Sequence, residues 1–134
     1  MVERIWYESV EAWAVSYLTP RLGVDVGTRY PFDGSNTEPK RFVRVSLAGG
    51  SNNGLVLDNR TLIFECWGTS KPDAARLCEQ AYSVIMAAKR DPAAYMFIRD
   101  VAVFGGPTYF PDPNTPNPRY QFTVSLTVRG TVVH

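Results

Sequence analysis

Hydrophobic and polar residues alternate most cleanly near the end of the chain. There Tyr120, Phe122, Val124, Leu126 and Val128 fall on one face, and Gln121, Thr123, Ser125, Thr127 and Arg129 on the other. A period of two residues is that of a strand with one buried face, here Tyr120 to Arg129. The same alternation, Val43, Val45 and Leu47 against Phe42, Arg44 and Ser46, predicts a strand over Arg41 to Leu47. Arg60 to Trp67 and Ile98 to Phe104 read as further strands, and Val24 to Tyr30 as a short one. A helical period takes over twice. Trp6, Val10, Trp13, Ala14, Tyr17 and Leu18 form one apolar stripe, which Pro20 is expected to stop. Ala74, Leu77, Cys78, Ala81, Ile85 and Ala88 form another. Ser70 suits the N-cap of this second helix, with Pro72 and Asp73 in its first turn. Lys89 and Arg90 sit at its carboxyl end, before Pro92.

Breaker residues separate these elements. Pro31, Gly34, Ser35, Asn36 and Pro39 predict a loop with little to bury, mobile when unbound. Gly49-Gly50-Ser51-Asn52-Asn53-Gly54 interrupts a strand with residues that tolerate positive φ, and Leu55-Val56-Leu57 leads into the next one. The pair reads as a long hairpin with an extended tip, either a solvated turn or an arm reaching a neighbouring subunit. Gly105-Gly106-Pro107 predicts a kink or turn, and Pro111-Asp112-Pro113-Asn114-Thr115-Pro116-Asn117-Pro118 a stiff loop ahead of the last strand. Short connections and adjacent hairpins predict an α+β fold: a mixed, mostly antiparallel sheet of about five strands with two helices packed on one face. A chain of 134 residues suits a single domain, 1–134, with one core.

Charge and chemistry narrow the function by exclusion. A net charge of +1 carries no basic footprint for tight phosphate binding, and Lys40, Arg41 and Arg44 read as a solvated strand edge. Cys66 and Cys78 read as free core thiols, with a strand-to-helix disulfide as the alternative. His134 is the sole histidine and the final residue, a frayed terminus or cloning scar. Glu65, Glu79 and Asp100 show no spacing that pairs carboxylates, and Glu65 is expected to face Arg44 or Arg60 across the sheet. Neither glycine pair continues as a phosphate loop, and Asp58, Asp73 and Asp100 are too scattered for a calcium loop. No catalytic, cofactor-binding or metal-binding residue is expected, and the chain is not expected to be an enzyme. Trp6, Trp13, Trp67 and Tyr120 fall mostly at core spacings, whereas Tyr109-Phe110, among prolines and glycines, suits an interface anchor. The amino-terminal residues lack the pattern of a signal peptide and no stretch suits a membrane span, so the expected folding environment is the cytoplasm.

Several segments, in order, resemble the tail terminator proteins of long, non-contractile-tailed phages, in particular those of actinobacteria. They are Phe42-Val43-Arg44-Val45, Gly49-Gly50, Asp58-Asn59-Arg60, Phe64-Glu65-Cys66-Trp67-Gly68, the helix Ala74 to Ala87, Gly106-Pro107, Pro111-Asp112-Pro113, and Pro118-Arg119-Tyr120 leading into Phe122-Thr123-Val124. The resemblance spans nearly the whole chain; the long Pro31 to Lys40 loop and the tail Thr131 to His134 depart from it. It implies a homo-hexameric ring that caps the completed tail tube, ends its polymerisation and forms the head-tail joining surface. The implied partners are the major tail tube protein and a head completion or connector protein, with DNA passing through the channel without sequence-specific binding and no membrane. The implied location is the head-proximal end of the tail in the virion, after assembly in the bacterial cytoplasm. A ring needs two unlike complementary patches per subunit. The expected contact residues are Gly50, Asn52, Asn53, Leu55, Val56 and Leu57 at the hairpin tip, and Tyr109, Phe110, Pro111, Asp112, Pro113 and Pro116 at the proline loop. A head-tail connector or head completion protein of the same particle is the nearest alternative. A small-molecule-binding module or enzyme, with Trp67 and Tyr109 lining a pocket, is the alternative of another class. Deleting Asn52 to Gly54 is expected to leave a folded protein that fails to cap tubes; wild-type tail lengths in a complementation assay would refute this.

Overall fold

The computed structural model describes residues 2–35 and 38–133; Asn36 of the first loop and His134 lie outside the described residues. Among the described residues the elements run β1 (Arg4–Trp6), α1 (Val10–Leu22), β2 (Asp25–Gly27), β3 (Phe42–Asn52), β4 (Leu57–Trp67), α2 (Lys71–Ala87), β5 (Ile98–Tyr109), β6 (Arg119–Arg129) and β7 (Thr131–Val133), with a 3-10 turn at Ala88–Arg90. The fold is α+β. The main sheet has five strands in the order β2-β3-β4-β6-β5, and β1 and β7 form a separate two-stranded ribbon. The β2–β3 pair is parallel and the other pairs of the main sheet are antiparallel.

Both helices cover one face of the main sheet, α1 against β2 and β3, and α2 against β4, β5 and β6. The alternating strands supply the matching layer: Val43 and Val45, Leu62, Phe64 and Cys66, and Phe122, Val124, Leu126 and Val128 are buried. From above, Val10, Ala14, Tyr17 and Leu18 of α1 and Ala74, Leu77, Cys78, Ala81 and Ile85 of α2 complete the core. Cys66 and Cys78 are both free and buried. Burial pushes the Cys66 thiol well up, and its contact with Cys78 adds to this.

The helix ends follow local chemistry. Ser9 caps α1 by accepting from the Ala12 amide at 3.2 Å, so the helix starts at Val10. Trp6, expected on the helical stripe, lies instead in β1 and is 61% exposed. Pro20 does not stop the helix either. In the last turn it removes only the bond to the Ser16 carbonyl. The chain continues to Leu22 and ends at Gly23, which takes φ 67° and donates to Thr19 O. Ser70 caps α2 as expected, accepting from Asp73 N at 3.2 Å.

Three expectations about the connections change. Gly49-Gly50 is a bulge inside β3, with the register shifting between Leu47 and Gly50, and the strand runs on to Asn52. Leu47 sits at this end of the sheet and is 44% exposed, so the buried alternation stops at Val45. The tip shrinks to residues 53–56 and is tied down: Asn53 N donates to Leu57 O at 3.2 Å and Gly130 N to Val56 O at 2.7 Å. A long free arm is therefore absent from the described residues. At Gly105-Gly106-Pro107, where a kink or turn was expected, the chain does not turn, and β5 continues through register shifts to Tyr109. Finally, the loop before β3 does bury something, because Tyr30 and Phe32 pack edge-on against Trp67, at ring centroid distances of 5.9 and 5.3 Å.

Gly68 is where β4 turns into α2, and a Cβ there would lie 2.4 Å from the Ala74 amide nitrogen. Backbone cannot yield as a flexible side chain can. Gly68→Ala is expected to cost about 2 kcal/mol in denaturant unfolding, whereas Gly105→Ala, with nothing within 4 Å of its new Cβ, should be close to neutral.

Candidate assembly surfaces

The sheet face opposite the helices begins, at one end, with Trp67. It alternates away from Phe64 and Cys66, yet it is 0% exposed. Tyr30, Phe32 and Phe42 surround its ring, and the Arg119 guanidinium lies 5.6 Å from its centroid. Arg119 opens β6 directly opposite Trp67. From there its side chain reaches the Glu65 carboxylate at 2.7 Å, the Phe110 carbonyl at 2.8 Å and the Asp112 carboxylate at 3.9 Å. Glu65 also faces Arg44 at 3.7 Å, the expected cross-strand partner, while Arg60 holds Asp58 at 2.7 Å. A planar guanidinium can serve several acceptors in fixed directions, which suits it to this junction.

The same junction fixes the proline loop. Phe110 N donates to Arg119 O at 2.9 Å, and Gly68 N to Pro118 O at 3.1 Å, closing the loop at its base. Asp112 turns inward. It is buried, accepting from Asn114 N at 2.9 Å and from the Tyr30 hydroxyl at 2.9 Å. Burial alone would raise its pKa, but the Asn114 amide, the Tyr30 hydroxyl and the Arg119 charge together hold the carboxyl below its ordinary value. Tyr30 is pushed up to about 12 by desolvation first and by its bond to Asp112 second. Asp112 thus holds the loop from inside, and the outward surface belongs to Phe110, Pro111, Pro113 and Pro116, together with Tyr109.

The hairpin tip lies at the other end of the sheet. Leu57 pairs with Arg129 at one end of the β4–β6 ladder and Trp67 with Arg119 at the other. The ladder spans 11 residues of each strand, so the two groups of expected contact residues stand about 33 Å apart. Gly50, Asn52, Asn53 and Leu55 are exposed at the tip, Leu55 at 81%, and Val56 and Leu57 are half-buried. Trp6, Val132 and Val133 of the terminal ribbon are also exposed apolar residues, and Gly130 ties the ribbon to the tip through Val56. The sequence therefore named two groups of mostly exposed residues, with Asp112 as the buried exception, but did not place them at opposite ends.

Arg119 and Trp67 as a shared hub were missed. The available signal was a cation at the first outward position of the strand, on a face otherwise uncharged until Arg129 at its far end. The catalytic alternatives gain no group here. Glu65 and Asp112 are both engaged by Arg119, and the Cys66 thiol is buried. Among the described residues no cluster of three or more His, Cys, Asp or Glu could hold a metal ion, and no described helix is long and apolar enough to cross a membrane. A scan against protein-family models finds no match to the chain, and a search of curated proteins finds none either.

Arg119→Ala leaves two carboxylates without their shared cation, and is expected to cost about 3 kcal/mol in denaturant unfolding and to open the 111–118 loop to proteolysis. The pH window follows from the shifts. A depressed Asp112 pKa makes loop anchoring complete above the ordinary carboxylate value, about 4, and lost as pH falls through the lower folded value. The raised Tyr30 pKa makes its contribution complete below about 10 and lost as pH rises through about 12. Loop proteolysis is expected to stay suppressed between these limits in the native chain.

Proposed function

We propose that the chain is a structural assembly protein: a tail terminator that closes as a homo-hexameric ring on a finished phage tail tube. In that role it ends tube polymerisation and presents the surface to which the head joins. The observation that carries this reading is the placement of two unlike, loop-built surfaces at opposite ends of one rigid sheet. A ring that stops a tube on one side and receives a head on the other needs two different axial faces. A subunit whose ends differ supplies them once all copies stand in the same orientation.

The physical demands of the role suit the residues. Proline limits the freedom the 111–118 loop can lose on docking, and the Arg119 junction limits it further. The near-neutral chain, with its outward charges Arg44 and Glu65 paired, suits a ring through which DNA slides without being gripped. The partners of this role are the tail tube protein on one side and a head completion or connector protein on the other.

Electron microscopy of the purified protein mixed with uncapped tail tubes tests the reading. Rings at one end of the tubes are expected. Rings that bind portal-bearing heads but leave tubes bare would assign the connector role instead. A particle-free monomer or dimer that binds a small molecule would refute the assembly role.

A further inference from the structure

Between the 3-10 turn and β5, residues 91–97 form a tight turn whose side chains divide by side. Ala94 is buried in the core, and Phe97 packs against the core and Trp13. Tyr95 and Met96 stand out in solvent, Met96 at 63% exposure. The turn is held closed from within. The Asp91 carbonyl accepts from the Ala94 and Tyr95 amides at 2.9 and 2.8 Å, and the Ala94 carbonyl from the Phe97 and Ile98 amides at 3.0 and 2.9 Å. Two apolar side chains are thus presented to water on backbone that has little freedom left to lose on docking.

Cations surround them. Tyr95 and Met96 line a groove of about 320 Å³ together with Lys89 and Arg99, and Arg90 stands beside Lys89 in the 3-10 turn. All three cations are exposed, and Arg90 and Arg99 have no ion-pair partner among the described residues. Lys89 meets only Asp100, at 3.2 Å, a carboxylate that is itself mostly exposed, and such a pair contributes little in water. Arg129 adds a fourth exposed cation at this end of the sheet, its amide donating to the Phe97 carbonyl at 2.9 Å. Of the carboxylates adjoining the turn, Asp91 is taken by the Tyr17 hydroxyl and Arg21, which leaves Asp100 among four positive charges.

The composition decides what fits. Tyrosine, methionine and arginine are enriched where proteins meet, and a carboxylate is what an arginine fork receives in pairs. Duplex DNA fits less well, because Asp100 would lie among its phosphates and the chain carries a net charge of only +1. The groove also continues a surface already described. β5 begins at the hairpin end of the sheet, where Ile98 is level with Val128, next to the Leu57–Arg129 pair.

We propose that the groove between Lys89 and Arg99 is the docking site for an acidic segment of a partner protein. Its carboxylates are received by Lys89, Arg90 and Arg99, and an apolar side chain lies on Tyr95 and Met96. The proposal rests on the assembly reading above and gives the chemistry of the partner at the hairpin end, whether tube or head stands there. The test is binding of purified tail tubes and of heads to the native chain and to Arg90→Glu, Arg99→Glu and Tyr95→Ser variants over a range of salt. Zero-length carbodiimide coupling and mass spectrometry of the native complexes accompany it. All three substitutions are at exposed positions, so unchanged unfolding midpoints are expected. Each variant is expected to lose about tenfold in affinity for one of the two particles and none for the other. Native binding to that particle should weaken as salt rises, and Lys89 should be coupled to an aspartate or glutamate of its protein. Links from Lys89 only to another copy of this chain, binding of short duplex DNA that the same substitutions abolish, or unchanged affinity in all three variants overturns the proposal while the assembly reading stands. A chain that binds neither tubes nor heads overturns both.

Discussion

The Arg119 guanidinium is the group on which the proline-loop end of this molecule depends. An arginine this deeply placed is favourable only when its donors are taken, and here Glu65, Asp112 and the Phe110 carbonyl take them. Because those acceptors belong to a central strand, a loop and the end of an edge strand, one side chain holds three parts of the chain in register. Trp67 provides the floor of the site, and Tyr30, packed against Trp67, closes it by reaching Asp112. Without that junction the proline loop would keep its stiff segments but lose its orientation.

Orientation matters because a contact between proteins gains little from surfaces that must be ordered on docking. The hairpin end is arranged on the same principle, with a short tip fastened to the terminal ribbon through Gly130 and Val56. Both ends of the sheet are therefore presented on a frame whose strands are buried on the helix side. The proposed ring uses that frame along the strands, with the tube at one end and the head at the other.

The sheet was largely legible in the sequence because one face of each long strand is apolar and the other is not. Tyr120 to Val128, Val43 with Val45, and the α2 stripe all fall where the alternation and the helical period put them. Legibility failed where a tertiary contact overrode a local signal. Trp6 continues the helical spacing of α1, yet Ser9 starts the helix later and the carboxyl-terminal residues recruit Trp6 into a strand. Gly49-Gly50 and Gly105-Gly106-Pro107 look like breaks, but neighbouring strands hold both segments in the ladder as bulges. The candidate surfaces were legible as composition, in prolines, glycines and apolar residues beside them. Their separation, and the inward turn of Asp112, depend on pairings between residues far apart in sequence.

The central claim is that this chain works through unlike surfaces at the two ends of its sheet. Amide hydrogen exchange, compared between the free protein and the protein bound to tail tubes, tests it most directly. The account predicts added protection at one end only, either residues 50–57 or residues 109–118, with the other end still exchanging until heads are supplied. Protection at neither end, or protection confined to the helix face of the domain, would contradict it.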